Sequence, residues 1–179
     1  KFTYDFRKKL KATNTEINAD SFKNHQIESL VKGLFLGTYE YPFKAEHPIF
    51  NADFQLILSD ISEENLQDLI TKTSAICEGQ FACMEWLNKP QNFKRVPHIS
   101  EFLTEISTQY HFKQTVFDRK KSEEIGLGAF LSVNQGSSQE AAFTILEYHS
   151  ENPNAKTIGL VGKCVLFDTG GISIKGSEN

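Results

Sequence analysis

Cysteine, methionine, tryptophan and long apolar runs are all scarce in this sequence. Its 179 residues include three Cys, one Met and one Trp. Three cysteines cannot all pair with one another and none forms a C-x-x-C motif, so we expect reduced thiols in a cytoplasmic protein. The apolar runs are too short to span a bilayer. No basic run exceeds three residues and the formal net charge is −4, which argues against a dedicated nucleic-acid surface.

The N-terminus also lacks an initiating Met and an apolar segment of the signal-peptide type. Because the chain starts at Lys1, we expect either a processed protein or a fragment. Its length suits one ordinary domain or parts of two. Hydrophobic residues make up 39% of the chain and include 15 Phe, so we expect a packed core that is rich in aromatic rings.

Helix and strand periodicities alternate along the N-terminal half. In residues 1–16 the aromatic side chains alternate, which predicts a short strand through Phe2, Tyr4 and Phe6. The next segment carries an i, i+3, i+4, i+7 apolar stripe, which predicts an amphipathic helix. We expect Asp20 or Ser21 to cap this helix and the helix to end near Gly37. The members of this stripe are Ile27, Leu30, Val31 and Leu34.

Residues 53–60 then predict a strand covered on both faces, since its middle is almost continuously apolar. Asp60 and Glu63 have the spacing of a capping pair at the start of a long helix, which runs to about Asn88. The predicted apolar side of this helix carries Leu66, Leu69, Ile70 and Ile76.

Shorter elements fill the C-terminal half. A helix with Phe102, Leu103 and Ile106 comes first, and another short helix ends at Gly126. We predict strands at residues 115–117, 129–137 (ending in a turn), 143–148 and 157–162. Helices interleaved with apolar strands indicate an α/β layered fold of sheets and helices.

The stretch TIGLVGKCVLFDTGGISIK, residues 157–175, concentrates the chemistry of the chain. A predicted buried strand delivers Lys163 at its end, and a second apolar piece delivers Asp168. Charged side chains are rarely buried unless paired or bound, and strand ends are where α/β folds place ligands. A Gly-Gly pair then lets the backbone approach a ligand closely. Taken alone, the pattern leaves open a plain Lys163–Asp168 salt bridge beside a glycine turn.

The segment GKCVLFDTGGISIK resembles the signature of the leucine (cytosol) aminopeptidase family, the two-metal exopeptidases, whose pattern is GKG-(V/I)-x-(F/Y)-D-(T/S)-GG-x-x-(I/L)-K. NQGSSQEAAFTILEY is similar to the strand–turn–strand that precedes the family signature, and NKPQN at residues 88–92 to its N-x-P-x-N element. Residues 33–44 match a weaker pattern near the end of the family's N-terminal domain. Cys164 stands where Gly is usual and Lys89 where a small residue is common, but neither position is assigned to a metal.

The resemblance implies roles for three residues. Lys163 would bind a metal ion through its neutral amine, and Asp168 would bridge two divalent ions, Zn or Mn. Lys175 would be catalytic and donate to the substrate carbonyl and the developing oxyanion. Burial and a nearby dication can lower a lysine pKa, a bridging carboxylate can hold two ions, and an ammonium can stabilise an oxyanion, so the chemistry suits these roles.

The resemblance also implies how the chain is organised. We expect an incomplete macro-like α/β domain in residues 1–60, a linking helix in 61–87 and the first half of the catalytic α/β domain in 88–179. The family's other acidic metal ligands lie beyond the signature, so the isolated chain is expected to lack part of the active site and to be inactive. For the complete protein, the family implies peptide substrates with N-terminal residues such as Leu, a cytoplasmic location, no membrane partner and a homo-hexamer.

Other interpretations remain open. The chain could be a non-catalytic binding or assembly module of the same fold, or its N-terminal part could bind a nucleotide or, less expected, a nucleic acid. The five histidines are scattered without metal-ligand spacing, and the glycines of residues 126–128 follow a helix instead of a strand, so neither feature indicates a site. Cys164 could be a reactive thiol, but its apolar neighbours favour an inert one.

Overall fold

The computed structural model describes residues 15–41, 54–57, 62–167 and 173–176. The chain divides into two compact units, residues 1–89 and 90–179. Both units combine helices with a small sheet, so the predicted α/β class is confirmed. The predicted division at residues 60 and 87 stays a prediction. In the described part of the chain, no helix is long and apolar enough to cross a membrane.

The first unit is built on a strand–helix–strand arrangement. Strands β1 (Thr15–Asn18) and β2 (Phe54–Ile57) pair in parallel, with Ile17 opposite Leu56, and α1 (Asn24–Gly37) lies between them in sequence. Parallel neighbours need a long crossover of this kind. β1 carries little sequence signal because its residues, TEIN, are mostly polar. The aromatic residues on which the first predicted strand depended, Phe2, Tyr4 and Phe6, lie outside the described residues.

The stripe predicted for α1 is confirmed, but its predicted caps are wrong. Ile27, Val31 and Leu34 are buried and Leu30 is half-buried. Asp20 and Ser21 lie in a turn before the helix, which begins after Lys23. There the Gln26 side-chain carbonyl accepts a hydrogen bond from the Lys23 N–H at 2.8 Å, which satisfies one of the donors exposed at the helix start.

The strand predicted at residues 53–60 is confirmed as β2, but it is not covered on both faces. Phe54 and Leu56 are half-buried, whereas Gln55 and Ile57 are exposed. β2 therefore has one covered face, as expected for a strand whose other face meets water.

The long helix α2 (Glu63–Asn88) ends where the sequence predicts. Its cap is Ser62, whose hydroxyl oxygen accepts a hydrogen bond from the Asn65 N–H at 3.3 Å. The prediction that Asp60 caps this helix together with Glu63 is therefore wrong, because the capping residue is Ser62 and Glu63 is the first residue of the helix. Asp60 itself lies outside the described residues.

The buried side of α2 is shifted from the predicted one. Thr73, Cys77 and Phe81, four residues apart, are buried on the helix that packs against α1. Leu66, Leu69 and Ile70 are half-buried as predicted. Ile76 is 43% exposed, because it points about 100° away from Cys77 around the helix.

The second unit starts with a 3-10 turn (Gln91–Phe93) and α3 (Val96–Gln109). The predicted apolar residues Phe102, Leu103 and Ile106 are half-buried on α3, so this helix is confirmed. Pro97 suits the first turn of α3, where a backbone donor has no helical partner.

Two antiparallel strands, β3 (Lys113–Phe117) and β4 (Phe143–Glu147), form the sheet of the second unit and confirm the strands predicted there. Between them lie α4 (Arg119–Glu124), as predicted, and α5 (Gly128–Asn134). The strand predicted at residues 129–137 is wrong, because these residues form α5 and the turn after it. The helical turn places Phe130 edge-on to Phe143 at 5.6 Å between ring centroids, beside the stacked pair Phe117–Phe143.

Candidate metal and substrate site

The segment that leads to Lys163 is extended and exposed. Residues 157–162 form no strand in the structure, so the predicted buried strand is wrong. Ile158 is 81% exposed, Leu160 94% and Val161 100%. The physical reason is that a strand needs backbone partners, and no described strand pairs with this segment.

Lys163 lies at the end of this segment, with its side chain exposed. Its backbone carbonyl accepts a hydrogen bond from the Val165 N–H at 3.1 Å, which closes a tight turn centred on Cys164. The turn falls at the position where the aminopeptidase pattern has Gly. The structure therefore shows that Cys is accommodated at the point where the chain turns after Lys163.

The thiol of Cys164 is shielded even though the residue as a whole is exposed. Desolvation raises the pKa of Cys164 above its ordinary value of 9.0, and the nearby Lys94 ammonium partly opposes this. A raised pKa keeps the thiol protonated at neutral pH. Because the thiolate is the reactive form, this direction supports the inert interpretation of Cys164.

The other two predicted site residues lie further along. Asp168 falls outside the described residues, as do both glycines of the Gly-Gly pair. Lys175 is exposed, in a short stretch that forms no strand, and Ile174 beside it is 81% exposed. The roles of Lys163, Asp168 and Lys175 therefore stay predictions.

A metal site can be tested on the donors that the chain supplies. In residues 15–41, 54–57, 62–167 and 173–176, no group of three His, Cys, Asp or Glu side chains could hold a metal ion. Lys163 and Asp168 would add one amine and one carboxylate, which are donors of suitable chemistry. A protein site for zinc normally takes at least three ligands, so these residues do not by themselves fit a complete metal site.

Asn134 organises the turn that leads into β4, a role that sequence analysis missed. Its side-chain oxygen accepts a hydrogen bond from Arg119 Nη2 at 2.6 Å, and its Nδ2 donates to the Gln139 carbonyl at 3.0 Å. One amide thus connects α4 to the chain that enters β4. The available signal was the position of Asn134 at the start of the NQGS turn.

Asn88 plays a similar part at the end of the first unit. Its Nδ2 donates to the Tyr39 hydroxyl at 3.1 Å, and its backbone carbonyl accepts from the Tyr41 hydroxyl at 3.1 Å. Asn88 is the first residue of the NKPQN element. Sequence analysis singled out that element but not this contact, which joins residues far apart in the chain.

Comparisons with known proteins cover the same region. A model of the catalytic domain of the cytosol aminopeptidase family matches residues 81–179. A probable cytosol aminopeptidase from Rickettsia bellii (strain OSU 85-389) is 32% identical over 164 residues, which are 89% of this chain and 32% of the relative. A second probable cytosol aminopeptidase, from Bacillus subtilis (strain 168), is 27% identical over 165 residues, which are 90% of this chain and 33% of that relative. The chain therefore spans about a third of the length of these curated relatives.

Two solved structures share the fold. The bottromycin maturation enzyme BotP, in complex with Mn, superposes with a TM-score of 0.74 at 22% identity, over 98% of this chain and 38% of BotP. A mutant of tomato leucine aminopeptidase superposes with a TM-score of 0.67 at 17% identity, over 79% of this chain and 31% of the tomato chain. Identities this low establish the fold alone.

Proposed function

The chain belongs to the cytosol aminopeptidase family, and on that premise we propose that it is part of a metal-dependent aminopeptidase that removes N-terminal residues such as Leu from peptides. The observation that carries the proposal is the family match over residues 81–179, because this range contains the whole signature. Lys163, Asp168 and Lys175 all lie within it.

Lys163 and Asp168 are the proposed metal-binding residues of this chain. Bound zinc or manganese would supply an activated water and positive charge near the scissile bond. Since one amine and one carboxylate are too few to hold such ions, the proposal assigns the other ligands to the part of the catalytic domain that the relatives carry outside their match to this chain. We therefore expect the isolated chain to be inactive as an aminopeptidase.

Lys175 is the proposed catalytic residue. A lysine ammonium is a compact point charge with three donors, and it can donate to the carbonyl oxygen of the scissile peptide. As that oxygen gains negative charge, the interaction strengthens, which lowers the barrier more than it tightens substrate binding. The exposed side chain of Lys175 is compatible with contact to a substrate.

The complete enzyme is proposed to be cytoplasmic and to assemble as a homo-hexamer, as the family resemblance implies.

The experiment that tests the function compares the complete enzyme with its Lys163→Ala and Asp168→Ala variants. Release of a Leu-linked chromophore and bound metal are measured on the same samples.

Because a bridging carboxylate serves two ions and the lysine one, Asp168→Ala should lose metal at both sites and Lys163→Ala mainly at one. Full metal occupancy in Asp168→Ala would remove Asp168 from the site. Metal-dependent turnover by the purified 179-residue chain, unaffected by Asp168→Ala, would contradict the proposal as a whole. A complete protein without turnover would favour the non-catalytic assembly module.

A further inference from the structure

The last turns of α2 lie both in the first compact unit and in the segment that matches the family. The match to the catalytic domain begins at residue 81, whereas the first unit extends to Lys89. Phe81 is buried and its ring stacks on Tyr39, which precedes the matched segment, with 5.6 Å between the ring centroids. The start of the catalytic segment is thus held by residues that come before it in the chain.

Two tyrosines of the first unit contact Asn88, the last residue of α2. The Asn88 Nδ2 donates to the Tyr39 hydroxyl at 3.1 Å, and the Tyr41 hydroxyl donates to the Asn88 backbone carbonyl at 3.1 Å. Carbonyls in the last turn of a helix have no partner within the helix, so the Tyr41 hydroxyl supplies one. Both the side chain and the backbone of Asn88 are therefore held from outside α2.

The next residue, Lys89, folds back onto the same helix. Its N–H donates to the Glu85 carbonyl at 3.0 Å, while its φ of −59° and ψ of 132° take the backbone out of the helix. Its Nζ lies 3.9 Å from the centroid of the Trp86 ring and 3.4 Å from the Glu85 carboxylate. Pro90 follows, and a residue before proline is restricted to extended conformations. Lys89 thus combines a restricted backbone with a side chain that has two partners.

We propose that the contacts of Asn88 and Lys89 form a conformational device, which immobilises the backbone at the end of α2, where the second unit begins. Helix ends normally fray, and a chain end with few partners opens easily. The two tyrosines and the folded-back lysine remove that freedom. The first unit thereby gains a role outside the proposed reaction, because it fixes the backbone from which the second unit starts.

The buried core of the first unit lies elsewhere on α2. Thr73 and Cys77 are buried on this helix, which packs against α1, and they lie three to four turns before Asn88. The two hydrogen bonds of Asn88 are exposed to solvent instead. Because water competes for exposed hydrogen bonds, their net contribution to global stability is modest. Their main effect is therefore a local restraint on the helix end.

The test measures backbone ¹⁵N order parameters in the 179-residue chain. Pro90 has no N–H, so the amides of Lys89, Gln91 and Asn92 report on the end of α2. Rigid backbone has an order parameter of about 0.85, and flexible backbone one below about 0.6. We expect values near the rigid limit in the unaltered chain, and Asn88→Ala should lower them by at least about 0.1.

Ile27→Val is the matched control, because Ile27 is buried (2% exposed) on α1 and the loss of one methyl group loosens the first unit without touching the helix end. It should leave the three amides unchanged. Tyr41→Phe removes only the hydroxyl that contacts the Asn88 carbonyl, so it serves as the second variant if Asn88→Ala does not fold. It should lower the same order parameters by a smaller amount.

The proposal is overturned if neither Asn88→Ala nor Tyr41→Phe, whichever of them folds, lowers the order parameters, since Pro90 alone would then account for the rigidity. An equal decrease in Ile27→Val would also overturn it, because the contacts would then act only through the stability of the first unit. Flexible amides in the unaltered chain would contradict it directly. A decrease in Asn88→Ala alone supports it and assigns the restraint to the bond with Tyr39.

Discussion

The Asn88 side-chain amide donates a hydrogen bond to the Tyr39 hydroxyl at 3.1 Å, which joins the last residue of α2 to the chain just after α1. The Tyr39 ring stacks on Phe81 of α2, with 5.6 Å between the ring centroids. The hydrogen bond and the stacked rings therefore act on the same tyrosine. Together they hold the C-terminal ends of α1 and α2.

Replacing Asn88 by Ala should lower the free energy of unfolding of the first unit by about 1 kcal/mol, the usual net worth of one hydrogen bond. Trp86, the single tryptophan, lies in the last turn of α2, so its fluorescence in urea reports this unit. Tyr39→Phe should cost a similar amount, and the double variant little more than either, because both changes remove one bond. Strictly additive losses would show that Asn88 and Tyr39 act independently.

Two positions with positive φ should respond oppositely to substitution. His111, just past α3, has φ 57°, and Gly126, just past α4, has φ 78°. Glycine adopts this region without the steric cost that other residues meet. We expect His111→Gly to stabilise the second unit by up to about 1 kcal/mol and Gly126→Ala to destabilise it by about 1 kcal/mol or more. Thermal unfolding of the two variants measures both; a loss of stability in His111→Gly would mean that its side-chain contacts outweigh the strain.

Alkaline pH should destabilise the first unit through Cys77. Burial raises the pKa of the Cys77 thiol above its ordinary value of 9.0, with Lys32 partly opposing this. The folded state therefore holds the proton more tightly than the unfolded state. The resulting stability is fully present below about pH 9, where both states are protonated, and is lost as pH rises through the folded pKa.

Urea unfolding at pH 7 and at pH 10 measures this effect. At pH 7 the Cys77→Ala variant should be less stable than the unaltered protein, because removing the sulfur leaves a small cavity at a buried site. Between pH 7 and pH 10, however, its free energy of unfolding should fall by less than that of the unaltered protein. Cys83→Ala is the control, since Cys83 is exposed on the same helix. Equal alkaline losses in all three proteins would assign the effect to other groups.

The sequence predicts those elements whose signal is local and repeated. The stripe through Ile27, Val31 and Leu34 repeats over two helical turns, so α1 could be placed from periodicity alone. The α5 residues around Phe130 form a short apolar run, and such runs do not distinguish a strand from a helix. The helix is favoured there by its packing on Phe143, a contact distant in sequence.

The same difference between local signals and contacts distant in sequence applies to the candidate site. Its three residues could be proposed from the sequence because they lie in one continuous segment, Lys163 to Lys175, but their roles stay predictions. The conformation of residues 157–162 could not be predicted, because whether an apolar segment is a paired strand depends on backbone partners elsewhere. The bond between Asn88 and Tyr39 was missed for the same reason, since it joins two positions on different helices' ends.

Lys175 provides the sharpest test of the catalytic assignment. If its ammonium donates to the developing oxyanion, its contribution arises mainly in the transition state. In the complete enzyme, Lys175→Ala should then keep its metal ions but lose kcat and kcat/KM together, by on the order of 10²–10³, the usual effect of deleting one oxyanion donor. Lys175→Arg should not rescue fully, because a planar guanidinium cannot replace a compact ammonium.

The competing explanation is that Lys175 is only an exposed surface residue, as its solvent exposure permits. Lys156 offers a matched control, because it is an exposed lysine just before residues 157–162 and outside the proposed site. Lys156→Ala should leave kcat and metal content unchanged. The decisive measurement takes kinetics and metal content from the same sample: near-normal kcat with full metal occupancy in Lys175→Ala rejects the catalytic role. A low kcat with metal lost would instead make Lys175 a contributor to metal binding, because an oxyanion donor acts on the substrate and has no reason to change metal affinity.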